Sequence, residues 1–354
     1  MNEKPRVPEP ASTIVRALPR AASAPSNQTP PEVRDIIDLL SDACGRDLVA
    51  VIFFGSRLLG TSPGEQSAAD LFVVVENYLR FYEAIGSRLP AARHSGIMAA
   101  LNRVLTPNII YLNDPGGMRA GAKCFVVTEY DLGHELSADA KDHFFRGRLA
   151  QRVDIVYARS DKDRLAHERR LESARRLTVD WVPLYLDEPS FAVLDFCRRM
   201  MEVSYAAEIR PEARSRVHEV VQAQGSFFRL AYGRVLQDAV REGRLTVEGE
   251  RYRVAKKPSW RERHEWYDFF RRSKARATLR WFKYMLTFDD WLDYIVRKIE
   301  RRSGMRIELS KSERRFPIIF LWPKAMRVIR AMRTLEAGRA NASGGASIVE
   351  RGDA

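Results

Sequence analysis

The sequence predicts an α+β fold: a mixed sheet in the N-terminal half, then a mostly helical half and a basic, amphipathic C-terminal tail. Three observations lead there. Four short apolar runs of strand character fall between residues 48 and 127. Helical periodicity dominates after about residue 132. The net positive charge of the whole chain sits beyond residue 251.

Taken in order, residues 1–30 are rich in Pro, Ala and Ser and read as a disordered leader. A helix is expected from Pro31 through Leu40. Leu48–Phe54 is a continuous apolar run ending at a glycine, the pattern of a strand covered on both faces. Leu71–Val75, Asn108–Leu112 and Ala122–Val127 have the same character, Asn108–Leu112 closing on the turn signal Asn113-Asp114-Pro115-Gly116-Gly117. Residues 139–150 and 160–177 are expected as charged amphipathic helices and 189–206 as a more buried one. The implied divisions are 31–158 for the sheet domain, 159–250 for a helical domain, 251–335 for a basic aromatic region, and 336–354 for a disordered tail.

Composition narrows the function. An apolar fraction of 45% supports a real core, while a net charge of +13 and a pI near 9.8 point to a polyanionic partner. The three cysteines, Cys44, Cys124 and Cys197, form no C-x-x-C pair, which suits a reducing, cytoplasmic setting and argues against structural zinc. No run approaches the roughly 20 apolar residues that span a bilayer, and the N-terminus carries no apolar signal core. Any membrane contact is therefore expected to be peripheral.

The most informative stretch is Phe53-Phe54-Gly55-Ser56-Arg57, followed after twelve residues by Asp70-Leu71-Phe72-Val73. Glycine lets the backbone approach a triphosphate without a Cβ in the way. The Ser56 hydroxyl and the amides after it can donate to phosphate oxygens. Asp70 can hold Mg2+ against the phosphates. A strand, a Gly-Ser turn and an acidic residue opening the next strand is the layout of the nucleotidyltransferase superfamily. Many of its members carry a second carboxylate two residues on, where this chain has Phe72. A second ligand is sought in Asp131, Glu129 or Asp154, or in the phosphates themselves. Lys123 and Arg148 are the candidates to neutralise the triphosphate.

Several further segments fall in one family's order. They are His94-Ser95, the strand beginning at Lys123 and ending in Glu129-Tyr130-Asp131-Leu132, Gly147-Arg148-Leu149, and Ser204-Tyr205-Ala206-Ala207-Glu208-Ile209-Arg210. Together they resemble the mitochondrial-type phosphatidate cytidylyltransferases, the translocator assembly and maintenance family, and their bacterial relatives. The likeness covers roughly residues 48–225. In that family the position of Phe72 is also apolar. Arg57 and Ala207-Glu208 depart from the pattern, standing where the family has a small residue and Gly-Asp. The resemblance implies a nucleotidyltransferase-like sheet domain that uses CTP and Mg2+ to convert phosphatidate into CDP-diacylglycerol and pyrophosphate. It adds Tyr205 and Arg210 to the nucleotide-binding set of Gly55, Ser56, Lys123 and Arg148, and leaves Asp70, Lys123 and Arg148 as catalytic candidates. Two other readings stand beside it: transfer to RNA or a small molecule, and a non-catalytic protein with a degenerate nucleotidyltransferase fold.

Residues 251–333 contain 24 Lys and Arg against 9 Asp and Glu, a net +15 that exceeds the whole chain's +13. Aromatic and basic residues interleave from Trp260 to Trp291. Further on, Arg314-Arg315 precede the apolar plug Phe316-Pro317-Ile318-Ile319-Phe320-Leu321-Trp322, and Lys324, Arg327, Arg330 and Arg333 recur every three residues. That pattern predicts a helix lying on an anionic membrane, each basic residue contributing about 1 kcal/mol. Base stacking and phosphate gripping of RNA, or plain core packing of the aromatics, are the competing readings. The proline-bearing plug has no use in RNA binding, so a nucleic-acid partner is not the expectation.

Overall fold

Two apolar runs, each too hydrophobic to face water on either side, become the middle of a five-stranded sheet. In the computed structural model, which describes residues 29–61, 68–86, 94–113, 121–208, 214–287 and 310, the strands are β1 (Leu48–Phe54), β2 (Ala69–Val75), β3 (Asn108–Leu112), β4 (Ala122–Thr128) and β5 (Asp154–Ala158). Their order is β3-β4-β2-β1-β5; β2 and β4 run parallel and every other pair antiparallel. The chain is thus a mixed α+β protein built on a mixed sheet.

Strand alternation sends two sets of side chains to opposite faces. Val51, Phe53, Leu71, Val73 and Val126 meet α1 (Pro31–Cys44), α2 (Tyr78–Ile85) and α3 (Ser95–Val104). Ile52, Phe54, Phe72, Val74, Phe125 and Val127 meet α4 (Glu129–Leu136), α5 (Phe144–Leu149) and α6 (Asp161–Arg176). The second face is aromatic: Phe54 stacks on Phe72 at 4.6 Å between ring centroids, and Phe125 lies 5.3 Å from both.

Two helices depart from expectation. Only residues 144–149 of the predicted 139–150 helix are helical, because the Ser137 hydroxyl takes the Asp139 amide and the Asp142 carboxylate takes the Phe144 amide, diverting the backbone into turns. The sequence placed α6 beyond the sheet domain, yet its Leu171 and Ala174 pack on the sheet face.

The second body holds α7 (Val193–Ala206), α8 (Arg214–Ala223), α9 (Gly225–Arg241) and a small sheet of β6 (Ser190–Phe191), β7 (Leu245–Glu248) and β8 (Arg251–Val254). Phe196, Met200, Phe228, Tyr232 and Leu236 fill its core. It joins the sheet domain where α5 touches α7. A Cβ on Gly147 would fall 3.0 Å from the His143 ring, a tight contact, and 3.4 Å from the Ser204 Cβ.

The long α10 (Trp260–Thr287) corrects the reading of 251–335 as one membrane-associating region. Phe270, Ser273, Ala277 and Arg280 form a single buried stripe at helical spacing. Phe270 enters the core of the helical body, with Trp266 and Phe269 against it. Arg276 and Arg280 donate to the buried Asp142 carboxylate at 2.6 and 2.7 Å, and the Lys283 amine donates to the carbonyls of Leu105 and Pro107. Counting basic residues without regard to helix face hid this. Trp260, Tyr267, Leu279, Trp281 and Phe282 remain exposed, beside the exposed Arg271, Arg272 and Lys274.

Outside the described residues lie most of the leader, Arg210, Trp291, the tail candidates Arg314, Arg315, Phe316, Phe320, Trp322, Lys324, Arg327 and Arg330, and residues 336–354. Among the described residues no helix is long and apolar enough to cross a membrane.

Candidate functional site

β1 ends at the glycine-serine pair. Gly55 has φ +84°, a conformation that L side chains rarely adopt, and a Cβ there would stand 2.6 Å from Asp70 Oδ2. The reason is register: Phe54 of β1 lies opposite Asp70 of β2, so the turn leaving β1 passes directly over the carboxylate. Residues 55–61 then close on themselves, Leu59 N donating to Gly55 O and Thr61 N to Ser56 O. Arg57 pairs with Glu32 of α1 and ties the turn to that helix.

Lys123 of β4 is the parallel partner of Asp70, and its ammonium sits 3.6 Å from Asp70 Oδ1. Both side chains are about one-fifth exposed, so the pair is neither sealed off nor fully hydrated. The sheet therefore gathers the Gly55–Ser56 turn, Asp70 and Lys123 at one end.

The other candidates are engaged in contacts of their own. Arg148, on α5, makes a two-pronged ion pair with Glu208, Nη2 to Oε2 at 2.8 Å, and its guanidinium lies 3.7 Å from the centroid of the Phe144 ring. Tyr205 is on α7, half-buried against the helical core. His94 caps α3, its Nδ1 accepting from Gly96 N at 3.2 Å.

The proposed partners of Asp70 on a metal are separated from it. Asp131 is in the first turn of α4, after β4, where its carboxylate accepts from Tyr78 at 2.5 Å and Thr128 at 2.9 Å. Thr128 pairs with Val75, five strand residues from Asp70, which is about 16 Å at the usual rise. Glu129 is at the same far end, paired with Arg170. Asp154 lies opposite Phe53, whose side chain belongs to the α1–α3 face, whereas Asp70 lies opposite Phe54 on the other face. Burial raises the Asp154 pKa, with Arg152 at 3.8 Å working against it. Neither Asp131 nor Asp154 can share an ion with Asp70 in this arrangement.

That decides how Mg2+ could be held. Among the described residues no three His, Cys, Asp or Glu side chains form a metal cage. One carboxylate with an ammonium beside it does not suit a resident divalent ion. It does suit an ion that arrives on a triphosphate, since magnesium keeps phosphate and water oxygens for most of its six positions.

One neighbour of the Asp70–Lys123 pair was not legible in the sequence. Tyr111 of β3 lies opposite Lys123 and continues the row Phe54–Asp70–Lys123. Nothing local marks it, because the pairing of β3 with β4 is what brings it there. No protein-family model matches the chain, and no curated protein does.

Proposed function

We propose that the chain is a peripheral membrane nucleotidyltransferase that moves the cytidylyl group of CTP onto phosphatidate. The observation that carries the reading is the Gly55 turn held over the Asp70 carboxylate with the Lys123 ammonium alongside. A backbone free of a Cβ, an anion and a cation on one open sheet end are the parts that a magnesium-bearing triphosphate needs.

In this reading a phosphate oxygen of phosphatidate attacks the α-phosphorus of CTP. The new P–O bond forms as the bond to the β-phosphate breaks, and pyrophosphate leaves with the electron pair. The attacking phosphate is already ionised near neutral pH, so no strong general base is required. Asp70 would help to hold a nucleotide-borne Mg2+, which would supply charge withdrawal from the phosphates. Gly55 and Ser56 offer backbone and hydroxyl donors to the triphosphate. Lys123 turns from Asp70 to the developing negative charge. Arg148 joins it by sharing or leaving Glu208; Tyr205 and Arg210 complete the nucleotide side by family resemblance.

The lipid acceptor is supported by the exposed aromatic and basic side of α10 and by the sequence of the plug and arginine repeat over residues 314–333. The proposed location is the cytoplasmic face of an anionic membrane.

Asp70→Ala is the direct test. Turnover should fall by about 100-fold or more, in the range seen when one electrostatic contact to a reacting group is lost, while the thermal midpoint stays close to that of the parent. Full activity in this variant would remove Asp70 from the site. Turnover without lipid would instead favour RNA or a small molecule as acceptor. A folded protein with no thermal stabilisation by CTP and Mg2+ would favour the non-catalytic reading.

A further inference from the structure

Two elements of the helical body meet without closing on each other. The 3-10 turn Val182–Tyr185 and the first two turns of α10 leave a pocket of about 300 Å³ between them, lined by Leu184, Tyr185, Trp260, Arg263, His264 and Tyr267. One wall is anchored in the core: the Tyr185 ring lies 5.7 Å from that of Phe270, in the buried stripe of α10. The opposite side is open to solvent, since Trp260 is 77% and Tyr267 62% exposed. Trp260 is stacked on His264 at 5.2 Å between ring centroids, and His264 Nε2 lies 3.4 Å from Asp268 Oδ2. The exposed Arg263 makes no ion pair among the described residues.

The pocket opens onto one face of that helix. From Trp260 the exposed His264, Tyr267, Arg271, Lys274 and Phe282 follow at helical spacing, all within about 40° of one line at 3.6 residues per turn. Rings interleaved with cations suit the boundary between headgroups and acyl chains, where ring faces take apolar carbons and long basic side chains reach phosphates. Stacking on nucleic-acid bases would have no use for Leu184 in the pocket wall or for the exposed Leu279 further along α10.

We propose that this pocket binds the phosphate-bearing headgroup of an anionic membrane lipid. The inference rests on the peripheral membrane reading of the preceding subsection and adds the place where the bilayer is gripped. Arg263 takes the phosphate, the rings of Trp260 and Tyr267 lie against the glycerol, and Leu184 and Tyr185 meet the first acyl carbons. The volume is at the low end for ligand pockets, so it admits a headgroup and not a whole lipid. The lipid held here is a docking ligand, and it uses none of the residues assigned to turnover. With it in place, α10 lies along the surface, Arg271 and Lys274 over neighbouring headgroups.

Sedimentation of the full-length protein with vesicles tests this, comparing phosphatidylcholine alone with phosphatidylcholine carrying phosphatidylglycerol. The parent should sediment with the second and not with the first. Arg263→Gln and Trp260→Ala should each weaken that binding by about 5-fold or more, the loss of one basic contact at a charged surface. Arg272→Gln removes an exposed cation from another side of the helix and should stay within about twofold of the parent. All three side chains are exposed, so the thermal midpoints should match the parent's. Equal losses in Arg263→Gln and Arg272→Gln would show that diffuse charge alone attracts the membrane, and overturn the pocket. So would unchanged binding in Trp260→Ala. A parent that binds neither vesicle, or that binds single-stranded RNA instead, would bring down the membrane reading itself, and the pocket with it.

Discussion

Glycine at position 55 is required twice over, by its backbone and by its neighbour. A side chain there would adopt φ +84° and meet the Asp70 carboxylate at 2.6 Å. Gly55→Ala should therefore cost about 1–3 kcal/mol of stability from the backbone conformation alone, measured as a lower denaturant midpoint, and should also displace Asp70. An unchanged midpoint would mean that the turn relaxes freely and is not set against the carboxylate. Gly55, Ser56 and Asp70 were legible because a turn glycine after an apolar run and an acid opening the next strand are local signals. Lys123 stood out through family resemblance, and its contact with Asp70 depends on a parallel pairing across an intervening strand and two helices. Asp131 and Asp154 were misplaced for the same reason. Which end of a strand a residue occupies, and which face it points to, is fixed by register rather than by nearness in sequence.

At the scale of elements, α10 shows what composition conceals. Eight basic residues on one helix read as a charged surface, but three of them point inward. Burial pushes the Asp142 carboxyl up, and the charge and hydrogen bonds of Arg280, with Arg276, more than offset it and hold the pKa below the usual value. That contribution is present above the unfolded carboxylate's pKa and is lost as pH falls through the lower folded value. Lys283 behaves in the opposite sense. Burial first, then Arg280 and Arg276, depress its amine to about 6 from an ordinary 10.5. Between those values the unfolded chain binds the proton that the folded chain lacks, so this group makes stability rise with pH, by at most about 1.4 kcal/mol per pH unit. Unfolding free energies from denaturant titrations at pH 7 and pH 9.5 should rise less in Lys283→Met than in the parent. Parallel values in the two proteins would show that the amine is not held in this buried, carbonyl-bound setting. The stripe of Phe270, Ser273, Ala277 and Arg280 could have been read as a buried face by its spacing, though not its attachment to a loop more than a hundred and seventy residues earlier.

For the whole molecule, the change of hydrophobic period near residue 132 marked where helix begins to dominate, but β5 and the helices up to α6 still belong to the sheet, so neither the division into bodies nor their junction was legible. The junction depends on His143 sharing a 2.8 Å hydrogen bond with Ser204 and on Arg148 meeting Glu208, neither of which leaves a periodic trace. The charge distribution also has to be taken at this scale. With Arg276, Arg280 and Lys283 turned inward, the outer side of α10 still offers the exposed charges of Arg271, Arg272 and Lys274 to an anionic partner. The central claim joins that surface to the Asp70–Lys123 site: the chain uses its basic end to reach a lipid and its sheet end to activate CTP. It is tested most directly by measuring pyrophosphate release from CTP and Mg2+ on anionic vesicles with and without phosphatidate. The account predicts release that requires phosphatidate and is lost in Asp70→Ala. Absence of release by the folded protein, or equal release from vesicles lacking phosphatidate, would contradict it.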